Sequence, residues 1–220
     1  MNELGVAPTR KGEETKARIL AAATELIHQK GFKNTGLQEI LDASGVPKGS
    51  FYFYFKSKED LGRELLYRYR LFVREELTRS VFTGTGDAIP QVQAFFRQAI
   101  QYQTDGGCKR GCLLGNFAAE TTDVHEDIRR ELVACFDDLK QLIADALARG
   151  QRDGELADDF SPGVAGGFLL SMLEGTILLA KAVRGPGAFS DCETMLTRYL
   201  DTLRRKDVPA GSGAREGGQS

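Results

Sequence analysis

Between Asp105 and Glu120 the chain reads DGGCKRGCLLGNFAAE, and two thiols, Cys108 and Cys112, flank the cations Lys109 and Arg110. Gly106, Gly107 and Gly111 predict an exposed loop that gives way to a helix at about Gly111. A thiol near a helix N-terminus and beside positive charge has its thiolate favoured, and the thiolate is the form that attacks electrophiles and oxidants. Cys112 is therefore a candidate sensor thiol, with Cys108 as a resolving partner; the competing reading is that Cys112 is a small buried hydrophobe. Cys108, Cys112, His125 and Cys135 are also four possible zinc ligands. Only the first two stand at ligand spacing and the others form no second close pair, so neither a metal nor a cofactor is expected. The spacing is not Cys-x-x-Cys, no βαβ pattern surrounds it, and no Ser-His-Asp set or glycine-rich phosphate loop is present. An enzyme is not expected, and a thiol-dependent oxidoreductase is the enzymatic alternative.

A second stretch, NTGLQEILDASGVPKGSFYFYFKSKEDL from Asn34 to Leu61, carries the chemistry of phosphate and base recognition. Leu37, Ile40 and Leu41 make one face of a helix beginning at about Thr35, with Glu39 suiting its macrodipole. Gly45 permits the sharp exit, Val46 packs inward, and Pro47 suits the first turn of a new helix, Lys48 to Phe55. That helix holds the consecutive aromatics Phe51, Tyr52, Phe53, Tyr54 and Phe55, more than one face can bury. Phe51 and Phe55 are i, i+4 partners for the core, which turns Tyr52, Phe53 and Tyr54 partly outward. Lys48 and the first backbone amides offer charge and donors to phosphate, while Gly49 and Ser50 are small enough for a base edge to approach. Ser57 then caps the next helix with Asp60 in the capping-box position.

The elements that must hold these groups are all helical. Ile19, Leu20, Ala23, Leu26 and Ile27 mark an amphipathic helix from Glu13 to Gln29, ended by Gly31. Leu61, Leu65, Leu66, Tyr69, Phe72, Val73 and Leu77 continue one long helix out of the reading head. Further helices are expected over Ala88 to Tyr102, His125 to Asp153, Val164 to Val183 and Asp191 to Leu203. The run Val164 to Val183 is nearly all apolar, but Ser171, Glu174, Lys181 and several glycines argue against a membrane span. A helix apolar all round must be buried all round, and Gly163, Gly166, Gly167 and Gly175 would admit a close neighbour. Two such helices per chain predict a four-helix bundle with a second copy.

With 220 residues, 41% hydrophobic and 27% charged, the chain can pack a small domain and a larger one. The division expected is a flexible basic arm at 1–12, a helix-turn-helix domain at 13–60, a sensing and dimerisation domain at 61–205 and a disordered tail at 206–220. Net charge is −2 overall, yet residues 1–80 hold 14 lysines and arginines against 11 acids, and residues 81–220 hold 15 against 20. Positive charge thus falls on the half that would meet phosphate. The N-terminus lacks the apolar core of a signal peptide, so a cytoplasmic protein is expected.

The run GSFYFYFKSKEDL, preceded by LQEILDASGV, resembles the DNA-binding domain of the TetR family of one-component transcriptional regulators over roughly Lys16 to Leu66. The resemblance implies that Thr35, Gly36, Lys48, Gly49, Ser50, Tyr52, Phe53, Tyr54 and Lys58 contact DNA. Phe53 departs from the polar residue or histidine often found at its position, leaving an apolar contact to a thymine methyl as the alternative to a hydrogen bond. GCLLGNFAAE, with EGTILLAKA further on, resembles the branch of that family responding to electrophiles, bleach-type oxidants, quinones or acrylate-like molecules. By that resemblance Cys112 is the modified thiol and Lys181 a residue that can pair with it. The fold and function so implied are an all-α homodimeric repressor on a palindromic operator in double-stranded DNA. Its dimer forms through the last two helices, and its inducer is a small molecule or an electrophile. A pocket is expected to be lined by Phe96, Tyr102, Cys112, Asn116, Phe117, Phe168, Met172 and Lys181. A reversible-ligand regulator or activator without redox role is the alternative.

Overall fold

The structure, a computed structural model, describes residues 10–122 and 125–205. The tail from 206 and the first nine residues of the arm lie outside the described residues. Arg10 to Gly12, also read as arm, are the first residues of α1 (Arg10–Lys30). Three elements follow in quick succession: α2 (Leu37–Ser44), α3 (Lys48–Tyr54) and α4 (Lys58–Phe72). The last runs on through a π-helical turn (Val73–Leu77) into the single turn α5 (Thr78–Ser80), so one long rod leaves the N-terminal unit as its periodicity predicts. Then come α6 (Ala88–Asp105), α7 (Leu113–Thr121), α8 (Glu126–Arg152), α9 (Pro162–Val183) and α10 (Gly187–Thr202). The described residues contain no strand, only one isolated bridge between Leu156 and Arg204.

The N-terminal unit folds around the residues its pattern selects. Ile19, Ala23, Ile40, Phe51 and Leu61 have no exposed surface to within 1%, and Val46 and Phe55 are nearly as buried. Each of these side chains other than Ala23 contributes about 1.5–3 kcal/mol of burial. The Phe51 and Phe55 rings meet at 5.4 Å between centroids. Gly45 closes α2 in the left-handed region at φ 61°, and Arg18 of α1 donates to the Ser44 and Gly45 carbonyls, satisfying the orphan end of α2. α2 starts two residues later than expected. Gly36 is its N-cap, and the Gly36 amide donates to the Glu39 carboxylate at 2.9 Å. At α4, Ser57 Oγ accepts from the Asp60 amide at 3.2 Å, as the capping pattern predicts.

The C-terminal unit is built on α8, which packs against α4, α6, α7 and α9; α10 lies on α9 and α6. α9 is long and apolar enough to cross a membrane by composition, but in this fold it packs on α8 and α10. It is not buried all round: Val164, Phe168, Leu178, Leu179 and Val183 stand more than half exposed in the single chain. Of the four α9 glycines only Gly166 has backbone neighbours, where a Cβ would stand 3.0 Å from the Lys140 carbonyl oxygen and 3.2 Å from the Ala144 nitrogen. Gly175 would meet nothing within 4 Å.

The two units are pinned together at α7. The Lys33 amide donates to Glu120 Oε2 at 2.6 Å, and the Phe32 ring packs on Phe117 at 4.8 Å. Arg70 of α4 donates to Asp138 of α8 at 3.0 Å.

Candidate functional site

Because Phe51 and Phe55 take the inner face of α3, the aromatics between them are turned out. Tyr52 is 50% and Phe53 58% exposed, Lys48, Gly49 and Gly36 are exposed, and Ser50 and Tyr54 are half-buried. Nothing lies within 4 Å of the position a Cβ on Gly49 would take, so the α3 surface is open there. A short helix presenting an ammonium, two phenols and a bare backbone can reach phosphates and base edges.

Two of the nine residues expected to contact DNA are turned elsewhere. Thr35 has no exposed surface, and its hydroxyl donates to the Gly31 carbonyl at 2.6 Å. Lys58 donates to the Phe32 and Thr35 carbonyls, both at 3.1 Å, and its ammonium lies 4.7 Å from the Phe32 ring centroid. The physical reason is shared: the α1–α2 loop leaves carbonyls without helical partners, and these two side chains satisfy them.

In the C-terminal unit two cavities, of about 610 and 510 Å³, share a wall of Gly111, Cys112, Leu170, Glu174 and Ile177. The larger, outer cavity runs between α7, α8 and α9 and is also lined by Asn116, Asp137, Lys140 and Lys181. The inner one reaches Tyr69 of α4, Tyr102 of α6 and, unexpectedly, Thr24 and His28 of α1. Cys112 is the N-cap of α7, one residue beyond the predicted start. Lys181 donates to Asn116 Oδ1 at 2.8 Å, and both reach the Arg110 carbonyl, Asn116 Nδ2 at 3.2 Å and Lys181 at 3.4 Å.

The electrostatics of Cys112 reverse the expectation. Burial pushes the thiol well above its usual pKa, and the nearby Glu174 carboxylate adds to the rise, outweighing the Gly115 and Leu114 amides at the helix start. The adjacent cations do not help: Lys109 is exposed to solvent, and the Arg110 guanidinium stacks 5.0 Å from the Tyr102 ring centroid. Glu174 is itself raised by burial, which the neighbouring Cys112 thiol partly offsets, and burial lowers Lys181. Tyr69 is pushed far up by burial and by the charges of Cys112 and Glu174. Among the described residues no three His, Cys, Asp or Glu side chains converge as a metal site.

Residues 19–65 match the family described as bacterial regulatory proteins of the tetR family, and residues 88–196 match the tetracyclin repressor-like C-terminal domain. The chain is 32% identical to the transcriptional regulator AcuR of Cereibacter sphaeroides over 84% of each protein. It belongs to the TetR family. The HTH-type transcriptional repressor NemR of Escherichia coli is also 32% identical, over 86% of this chain and 94% of that one. The crystal structure of E. coli NemR in its reduced form superposes with a TM-score of 0.77 at 29% identity, covering 84% of this chain and 96% of that one. A regulatory protein TetR from Rhodobacter sphaeroides gives 0.78, also at 29% identity, covering 84% and 98%. The chain is thus a DNA-binding transcriptional regulator and not an enzyme.

Within this TetR-family regulator the expected pocket set divides. Cys112, Asn116 and Lys181 share the outer cavity, and Tyr102, 45% exposed, lines the inner one. Phe96 and Phe117 line neither: both are fully buried, the first against Phe95 and the second against Phe32. Phe168 meets Tyr199 in a tilted ring contact at 4.9 Å on the exposed face of α9, and Met172 packs at the margin of the core. Cys108 lines neither cavity; it is buried in a left-handed turn at φ 56°. Sequence reasoning missed Glu174, Tyr69 and His28 as cavity residues. Glu174 had a signal, since an acid in the middle of an apolar helix is rarely buried without a partner.

Proposed function

We propose that this regulator is a homodimeric repressor that reads a palindromic operator with α3. It is released when Cys112 is modified by an electrophile or oxidant, or when a small molecule fills the adjoining cavities. The observation that carries the reading is the position of Cys112. It stands at the start of α7, beside Lys181 and Asn116 in one cavity, on the helix whose Phe117 and Glu120 grip the reading head through Phe32 and Lys33. A change at the thiol therefore acts on the element that sets the head's angle. In a dimer, whose half-sites lie about 34 Å or a multiple of it apart on one face, such a change spoils the match of two α3 helices to DNA. The exposed apolar residues of α9, with Met195 and Tyr199 of α10, support dimerisation through the last two helices. That E. coli NemR has been solved in a reduced form supports a redox-active thiol here. A repressor of this kind works on DNA in the cytoplasm.

The inner cavity favours a second reading, a reversible ligand as inducer, because its walls join α1 to α4, α6 and α9 and its volume suits a small organic molecule. A gel-shift titration of reduced protein on its own upstream DNA, repeated after N-ethylmaleimide or hypochlorite, separates the two. Treated wild type should release DNA while Cys112→Ser holds on. Equal responses would discard the thiol and leave the reversible ligand.

A further inference from the structure

Glu174 is a carboxylate in the middle of a largely apolar helix whose only other charged side chain is Lys181. Glu174 and Cys112 form the polar part of the wall common to both cavities. They converge on Gly115: a Cβ there would stand 3.2 Å from Glu174 Oε2 and 3.6 Å from Cys112 Cβ, so the bare backbone leaves the space between carboxylate and thiol open. We propose that Glu174 is the proton acceptor for the Cys112 thiol, and that this wall is built to add a neutral α,β-unsaturated carbonyl compound to sulfur at neutral pH. The proposal rests on the reading of Cys112 as the reacting group.

The step balances without a leaving group or a redox change. Sulfur bonds to the β-carbon as its proton passes to a Glu174 oxygen, and the C=C electron pair moves onto the carbonyl as an enolate. The proton then returns from Glu174 to the α-carbon, leaving a thioether and a regenerated carboxylate. Cys112 stands at the N-cap of α7, where the helix macrodipole favours the charge that develops on sulfur. A partly buried carboxylate whose pKa desolvation raises is a stronger base than an exposed one, which suits it to this transfer. The other titratable or charged groups facing the pair are Tyr69 of α4, Tyr102 of α6 and His28 of α1 from the inner cavity. Asp137 and Lys140 of α8 and Lys181 of α9 face it from the outer one.

The alternative role of Glu174 is the opposite one, a negative charge that merely suppresses the thiolate, and the two predict opposite signs. The test follows acrylamide addition at Cys112 by peptide mass mapping of the full-length protein between pH 6 and 9. With Glu174 as acceptor the wild-type rate changes less than about threefold between pH 7 and 8.5, because the proton passes to the carboxylate within the site and not to hydroxide from solution. Glu174→Gln then slows the reaction at pH 7 by about 100-fold and restores a rise of about tenfold per pH unit. A tenfold-per-unit rise in wild type, or equal or faster reaction of Glu174→Gln at pH 7, overturns the proposal. The wild-type profile decides by itself if the variant does not fold. Acrylamide addition with the flat profile but no release of operator DNA leaves proton transfer standing and removes the sensor reading. DNA release with the steep profile does the reverse.

Discussion

Lys58 separates a structural from a DNA-contacting role more sharply than any other residue of the reading head. Its family position implies a phosphate contact, but its ammonium faces inward, donating to the Phe32 and Thr35 carbonyls at 3.1 Å and reaching the Lys33 carbonyl at 3.4 Å. Lys58→Met keeps the aliphatic stem and removes the donors. Hydrogen bonds to charged groups contribute about 1.5–3 kcal/mol each where buried. These are only partly buried and the unpaired carbonyls can take up water, so the net loss should be about 2–3 kcal/mol. For a chain of this size that lowers Tm by about 5–10 °C. The assay pairs thermal unfolding with operator titrations at several salt concentrations, using Lys48→Ala as the reference. Lys48 is exposed at the start of α3. Its removal should reduce the slope of log affinity against log salt by about one while leaving Tm near wild type. Lys58→Met should lower Tm and leave the slope alone. A slope reduced by about one with an unchanged Tm would refute the inward assignment and return Lys58 to the phosphate contacts.

Gly166→Ala places a methyl 3.0 Å from the Lys140 carbonyl oxygen and should cost about 1–3 kcal/mol by denaturant midpoint. Gly163→Ala, with only Ser161 Oγ at 3.9 Å, should change little; equal effects would contradict the close α8–α9 approach. His28 is 5% exposed, and burial holds its pKa below the usual 6.5. The unfolded chain therefore binds more protons below about pH 6.5, so stability is full above that pH and falls as pH drops toward the lowered folded value, by at most about 1.4 kcal/mol per unit. His28→Gln should flatten that loss in denaturation at pH 5.5 and 7.5, and an offset from wild type that does not vary with pH would argue against it. Phe168→Glu puts a charge on the exposed apolar face of α9 beside Tyr199 and should yield monomers in sedimentation velocity; a persistent dimer would move the interface elsewhere.

Local chemistry made much of this protein legible in its sequence. The turn at Gly45, the cap at Ser57 and the inward pair Phe51 and Phe55 are determined by backbone freedom, by a hydroxyl within reach of an amide, and by helical spacing, all within a few residues. Those constraints placed α3 and exposed Tyr52 and Phe53 without reference to distant contacts. The long rod from α4 followed from an unbroken periodicity in the same way.

What tertiary structure alone decided is which of several equivalent uses each side chain has. Phe117 and Phe96 have the type and spacing of either a pocket wall or a core, and only the approach of Phe32 and Phe95 assigns them to the core. Lys58 has the sequence of a phosphate contact, and the carbonyls of a loop some 25 residues earlier claim it. At Cys112 the sequence neighbours Lys109 and Arg110 argue for an acidic thiol, whereas the fold turns one cation to solvent and the other onto Tyr102 and puts Glu174 of α9 on the same cavity wall as the thiol. The reason is physical. Helix formation depends on groups a turn apart along the chain, but the potential at a thiol depends on every charge within a few ångströms and on how much water is excluded, and folding sets both.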